Sequence, residues 1–384
     1  MSKAITLTKA RMKAASGRTV EALDRGGRGK RARGARASAS RERERGTYLW
    51  RAHLTRYERV GSRDAETHVV FIHGFGVGKF HFASQLSALG GGGTCAWALD
   101  LCGQGESWPV DDDAVEELHA QKFRYSVDTW RDQVEEFLRD VVGKKSYVCG
   151  NSLGGYLATY VSATSPELVR GLVLMNATPF WAFVPNDESS IGYRLAPWRG
   201  ALPVPKWVST PFRAYWDSFR SEANVKGLLG LVYANKARID NELIERIIAP
   251  TNNPNALFTF CSVVWSPKSS MSFDDMLAKL RDDESIPIAL VYGRDDPWVV
   301  PLWGQRLKRA IPRAEYYEIS PGGHCPAHEC PETTNALISD WIEYCESGRI
   351  GAPPFGTPDG AGTLIQGEPR NIFEKIDAFR ASTS

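Results

Sequence analysis

Residues 146–163 read SYVCGNSLGGYLATYVSA, and the rest of the chain is organised around them. Ser146 to Cys149 have the pattern of a buried strand, Gly150-Asn151-Ser152-Leu153-Gly154-Gly155 make a sharp turn, and Tyr156 to Val161 suit a helix. A G-x-S-x-G run between a strand and a helix is a nucleophile elbow. A serine at the apex of so tight a turn has a strained backbone, and flanking residues with a Cβ would collide with the neighbouring strand and helix. Ser152 is therefore the expected nucleophile. The amide of Leu153, the next residue, points to where an oxyanion would form.

Composition narrows the classes. With 384 residues, 42% apolar and 24% charged, the chain reads as one large α/β domain with tails, or two ordinary domains. A net charge of +2 argues for no nucleic-acid partner. No apolar run approaches the ~18 residues of a membrane span. Seven cysteines without a C-x-x-C pair read as buried thiols in a reducing compartment. Cys325 and Cys330 with His324 or His328 fit no usual zinc spacing, so no metal is expected. Residues 1–46 are crowded with lysine and arginine, poor in acid and without an apolar face. They read as a disordered organellar transit peptide, cut near Ala35-Arg36-Ala37-Ser38; a solvated basic arm is the alternative.

Outward from the elbow, the folded domain is expected over 47–350. Arg51 to Val60 alternate as an edge strand pair would, and His68 to Ile72 form a short buried strand. His73-Gly74-Phe75-Gly76 follows. It is no P-loop, since Lys79 precedes Phe80 rather than Ser or Thr, and no dinucleotide fingerprint, since Lys79 stands where the third glycine belongs. It reads as the loop whose Phe75 amide is the second oxyanion donor, with His73 as a brace. Thr94 to Asp100 is another strand, closing on a turn in which Asp100 is structural.

After Pro179 prolines mingle with Phe180, Trp181, Trp207, Trp216 and other aromatics, a helical insertion covering about 179–270. Aromatics in this number point to a large apolar pocket, and the expected substrate contacts are Phe180, Trp181, Trp265 and Trp298. Helical stretches are read over Val225 to Tyr233 and Glu242 to Ile248. Ile286 to Tyr292 resumes the sheet. Asp296, in the turn after it, is the expected acid, with Asp295 as a turn cap. Ala314 to Ile319 is taken as the last strand, leading to Gly322-Gly323-His324, where the glycines let the loop swing His324 over the elbow as base. His328 is its rival. The tail 351–384 is expected to be irregular.

With these residues in hand, the chain resembles the pheophytinase family of α/β-hydrolases. The stretches that carry the likeness are HGFGVGKFHF, WALDLCGQGES, GNSLGGYLATY, LVLMNATPFWAF, VYGRDDPWVVPLWG and YYEISPGGHCPAHECPE, between about 68 and 332. The resemblance implies a mostly parallel sheet flanked by helices, with a helical cap after strand six. It implies a chloroplast serine ester hydrolase that removes phytol from the chlorin pheophytin, with Ser152, Asp296 and His324 in the family's triad positions. No cofactor is implied, and the protein would make at most a peripheral contact with the thylakoid. A chlorophyll dephytylase, a general lipid esterase and a non-catalytic ligand-binding fold are the alternatives. A serine at 152 excludes the aspartate-nucleophile chemistry of dehalogenases.

Overall fold

A strand covered on both faces is apolar at nearly every position, and the central strands here are of that kind. In the computed structural model, which describes residues 42–179, 206–349 and 363–366, they belong to one ten-stranded sheet. The strands are β1 (Arg43–Trp50), β2 (His53–Val60), β3 (Thr67–Ile72), β4 (Thr94–Leu99), β5 (Trp108–Pro109), β6 (Ser146–Asn151), β7 (Val169–Met175), β8 (Ile288–Gly293), β9 (Glu315–Ser320) and β10 (Thr363–Gln366). Their order is β1-β2-β4-β3-β6-β7-β8-β9-β10, with β5 on β2 off this path. Pairing is antiparallel from β1 to β4 through β2, and parallel from β4 to β10. The elbow strand β6 is central.

Alternation sends successive side chains to opposite faces. Val70 and Ile72 of β3, Val148 of β6 and Leu172 of β7 pack beneath the helices Val127–Glu136 and Leu153–Thr164. Val69, Phe71, Cys149 and Val173 pack on the other side with the helices Ala83–Leu89 and Pro331–Glu346. The result is the three-layer α/β architecture that the resemblance implied. Between β7 and β8 the chain leaves the sheet for the helices Lys206–Phe219, Glu222–Val232, Asn241–Ile248 and Ala256–Val264. Because β5 is only a two-residue strand, this insertion follows the sixth full strand. Val225, Leu229, Tyr233, Leu243 and Ile244 give it a small core, which Cys325 of the main domain joins. All seven cysteines are free.

Two boundaries differ from expectation. The arm expected to be disordered through 46 gives way to β1 at Arg43. Arg43 and Arg45 form ion pairs with Glu58 of β2 at 3.5 and 3.4 Å, so charged residues that look solvated in composition belong to a paired edge strand. In the tail expected to be irregular, Thr363–Gln366 pairs in parallel with β9, so β9 is not the last strand. Four residues, Thr363-Leu364-Ile365-Gln366, are too short a run to carry a strand pattern of their own. Phe180 and Trp181 lie outside the described residues.

Candidate active site

The site begins where β6 ends. Ser152 has φ 54° and ψ −119°, a conformation few L-residues adopt, and the surrounding packing holds it there. A Cβ on Gly150 would lie 2.1 Å from the Gly154 carbonyl oxygen, and one on Gly154 would lie 2.0 Å from that of Ile72. The turn closes only because both are glycine. The Ser152 amide donates to the Met175 carbonyl at 3.0 Å, tying the elbow to β7. Leu153 opens the following helix, and first-turn amides have no helical carbonyl to bond. A Cβ on Gly74 would stand 3.3 Å from Ser152 Cβ, so the loop carrying Phe75 lies directly against the serine.

That loop is braced from behind. The Leu101 amide donates to His73 Nε2 at 3.0 Å, and an amide can only donate, so His73 carries its proton on Nδ1 and donates it to the Gly74 carbonyl at 2.7 Å. Burial pushes the His73 pKa down, against the pull of Asp100, and keeps the ring neutral. Asp100 accepts from the Lys79 amide at 2.7 Å, from Lys79 Nζ at 2.8 Å and from the Glu106 amide at 2.9 Å; Lys79 Nζ also bonds Glu106. Asp100 therefore clamps two loops together, and its oxygens are occupied with that role.

The acid and base candidates meet. His324 Nδ1 donates to Asp296 Oδ2 at 2.7 Å, and Asp296 is 3% exposed. The carboxylate is fully engaged: Oδ2 also accepts from Asn176 Nδ2 at 2.6 Å, and Oδ1 accepts from the amides of Trp298 (2.7 Å) and Val299 (3.1 Å). Asn176 in turn accepts the Gly293 amide at 2.9 Å. The His324 carbonyl is held at 2.9 Å by Asn151 Nδ2, from the residue next to Ser152. A Ser152–His324 hydrogen bond is not among the contacts made by the described residues. Asp295 accepts the Gly322 amide at 3.3 Å, as a turn cap does. His328, the rival base, instead stacks on His81 at 4.6 Å, and Tyr233 OH bridges the two rings at 2.9 and 3.2 Å. Burial holds the His328 pKa down at about 4, and burial with the neighbouring His328 holds that of His81 well below the usual value.

A strap from the cap crosses the histidine loop. The His324 amide donates to the Val232 carbonyl at 3.1 Å, Tyr233 reaches His81 and His328, and the Asn235 amide donates to Glu329 Oε2 at 2.8 Å. Glu329, wholly buried, also accepts the Cys325 amide at 3.1 Å. Its carboxyl pKa is raised by burial, with the amide bonds opposing. Asn176, Asn151 and Glu329 were not singled out from sequence. Only the asparagines, each at the end of a strand in a conspicuous motif, offered any signal.

Between cap and core lies an open cleft that reaches Phe75 and Gly76 on one side and Trp216 and Phe260 on the other. Trp265 and Trp298, expected as substrate contacts, are not in its lining. Trp265 packs edge-on against Phe212 at 5.2 Å within the cap. Trp298 is 58% exposed, since the turn that delivers its amide to Asp296 leaves its side chain outward.

A profile of the α/β hydrolase family matches residues 69–337. The chain is 39% identical over 329 residues to chloroplastic pheophytinase of Arabidopsis thaliana, covering 80% of this chain and 68% of that protein. It is 25% identical over 305 residues to the human (lyso)-N-acylphosphatidylethanolamine lipase, covering 73% of this chain and 80% of that one. Among solved structures, haloalkane dehalogenase DbeA of Bradyrhizobium elkani superposes with a TM-score of 0.60 at 18% identity, over 80% of this chain and 100% of that one; the likeness is of fold alone.

Proposed function

Since this chain belongs to the α/β-hydrolase family and is an ester hydrolase, we propose that it removes phytol from pheophytin through Ser152, His324 and Asp296. The observation that carries the chemistry is the buried Asp296–His324 contact of 2.7 Å beside the strained Ser152 elbow. The choice of pigment rests on the likeness to the Arabidopsis pheophytinase. His324 takes the Ser152 proton on Nε2, while Asp296 holds the opposite tautomer position and stabilises the imidazolium. Ser152 attacks the phytyl ester carbonyl. The amides of Phe75 and Leu153 receive the oxyanion, each such donor contributing on the order of 3 kcal/mol. Phytol leaves with the proton from His324, and water then releases the chlorin acid by the same steps in reverse. The chemistry calls on no metal or organic cofactor.

The apolar walls of the cleft suit a chlorin ester. We place the protein in the chloroplast, on the basic, acid-poor residues 1–46 and the chloroplastic relative. Exposed Tyr215, Leu228 and Leu231 on the cap suit a peripheral contact with thylakoid lipid. The test is purified protein given pheophytin, chlorophyll and a short p-nitrophenyl ester. Pheophytin should release phytol, and Ser152→Ala should lose all turnover by roughly 10⁴-fold or more. Cleavage of chlorophyll alone would make it a chlorophyll dephytylase. Turnover of only the short ester would make it a general esterase, and pigment binding without turnover a receptor.

A further inference from the structure

We propose that Glu329 is a positioning residue for the base, its ionised carboxylate fixing the loop that carries His324 and stabilising the imidazolium formed when His324 takes the Ser152 proton. Glu329 is wholly buried and ends the short helix Pro326–Glu329, which follows that loop. Its carboxylate lies against both chain neighbours of His324. Oε1 accepts the Cys325 amide at 3.1 Å, and a Cβ on Gly323 would stand 2.6 Å from Oε1 and 2.8 Å from Oε2. Oε2 accepts the Asn235 amide of the cap strap at 2.8 Å, and the Ala234 amide bonds the carboxylate as well.

These partners bear on its charge. Each is a backbone N–H, which can only donate, so the oxygens act as acceptors and a proton on either would face donors. Burial pushes the Glu329 pKa up, while the three amide bonds and the charge of His324 pull it down. A buried carboxylate is costly unless a positive charge faces it. Arg238 of the strap pairs instead with Glu332, at 3.7 Å. Tyr233 and Cys325, the other titratable groups acting on Glu329, are both raised well above their usual pKa, by burial first, and stay neutral. His81 and His328, bridged by Tyr233, are held down by burial and stay neutral too. Among these groups His324 is the one that becomes positive when it takes the Ser152 proton. Coupling between two sites is reciprocal, so the pull of His324 on Glu329 is matched by an equal pull of Glu329 on the imidazolium. Asp296 holds the ring at Nδ1, and Glu329 adds a second negative charge beside the same loop.

The inference rests on the Ser152–His324 reading, and the test keeps the two apart. Full-length wild type, Glu329→Gln, Glu329→Met, Tyr233→Phe and His324→Ala are assayed for kcat and KM across pH, on pheophytin and on a p-nitrophenyl ester, with urea unfolding of each. Glutamine and methionine both remove the charge; glutamine retains an oxygen for an amide and methionine retains none. Tyr233→Phe retains the charge but removes the hydroxyl that ties the strap to His81 and His328. In both Glu329 variants kcat should fall on the order of tenfold with KM unchanged, and the acid limb of kcat/KM should move down by about one pH unit, because the imidazolium has lost a stabilising charge. Tyr233→Phe should lose stability and leave the limb in place. An unmoved limb in the folded Glu329 variants overturns the inference. So does a shift that grows with the loss of stability from glutamine to methionine, or an equal shift in Tyr233→Phe, since either traces the effect to loop anchoring. Failure of both Glu329 variants to fold overturns it too, and makes the side chain a stabilising group alone. Full turnover by His324→Ala, or none by the wild type, overturns the triad reading and this inference with it; an inactive His324→Ala beside an unmoved limb overturns the inference alone.

Discussion

Replacing Asp296 with asparagine should separate the catalytic from the structural work of this side chain, because its four partners dictate how the amide must sit. The amides of Trp298 and Val299, at 2.7 and 3.1 Å from Oδ1, can only donate, so the asparagine oxygen must take that position. Its NH2 then occupies the place of Oδ2, facing Asn176 Nδ2 at 2.6 Å and His324 Nδ1 at 2.7 Å, both donors now. His324 is driven to present a bare Nδ1 and to carry its proton on Nε2, which disables it as a base toward Ser152. A wrong tautomer in an otherwise intact site costs about 10⁴ in kcat. The unpaired Asn176 amide costs about 1–3 kcal/mol of stability. The double variant Asp296→Asn with Asn176→Asp restores an acceptor opposite the new NH2 and retains an oxygen for the Gly293 amide, now at 2.9 Å. It should recover most of the stability and none of the rate. Initial rates on a p-nitrophenyl ester and urea unfolding of the three proteins decide the matter. A single variant within about tenfold of wild-type kcat, or a double variant with restored rate, would refute the tautomer argument.

Glu329→Ala leaves the buried amides of Asn235 and Cys325 unpaired and should cost about 2–6 kcal/mol in urea unfolding, with Glu329→Gln losing less. His328 has a folded pKa of about 4 against 6.5 in the unfolded chain. A depressed group contributes stability present above the unfolded value and lost as pH falls through the folded one, roughly 3 kcal/mol between the two. In His328→Gln the fall in stability from pH 7 to pH 4 should shrink by about that amount; an identical fall would clear His328 of the effect. Gly150→Ala places a Cβ 2.1 Å from the Gly154 carbonyl oxygen, a backbone atom that cannot move without opening the elbow. It should lose more than about 3 kcal/mol, or fail to fold, as read by thermal unfolding.

The candidate serine, histidine and acid stand out in the sequence because each is marked by its own turn chemistry. Glycines sit where a Cβ cannot, and the acid and base follow strands at characteristic offsets. The central strands are legible for a related reason, since burial on both faces leaves an apolar run. The partners of these groups are not. Asn176 and Asp296 are 120 positions apart, and only the sheet order that places β7 beside β8 makes them neighbours. Asn151 and Glu329 look like ordinary polar residues until the fold shows which of their atoms face a partner. Aromatic content announced an apolar cap but not which way each ring turns: Trp265 faces Phe212, and Trp298 faces outward.

Local chemistry along the chain was thus enough to determine the hydrolase fold and to nominate Ser152, Asp296 and His324, because steric limits at a turn act within a few residues. Tertiary structure alone decided which hydrogen bonds hold those side chains and how the cap strap grips the histidine loop. Those depend on direction and distance between segments far apart in the chain, and residue order does not encode either until the sheet is assembled.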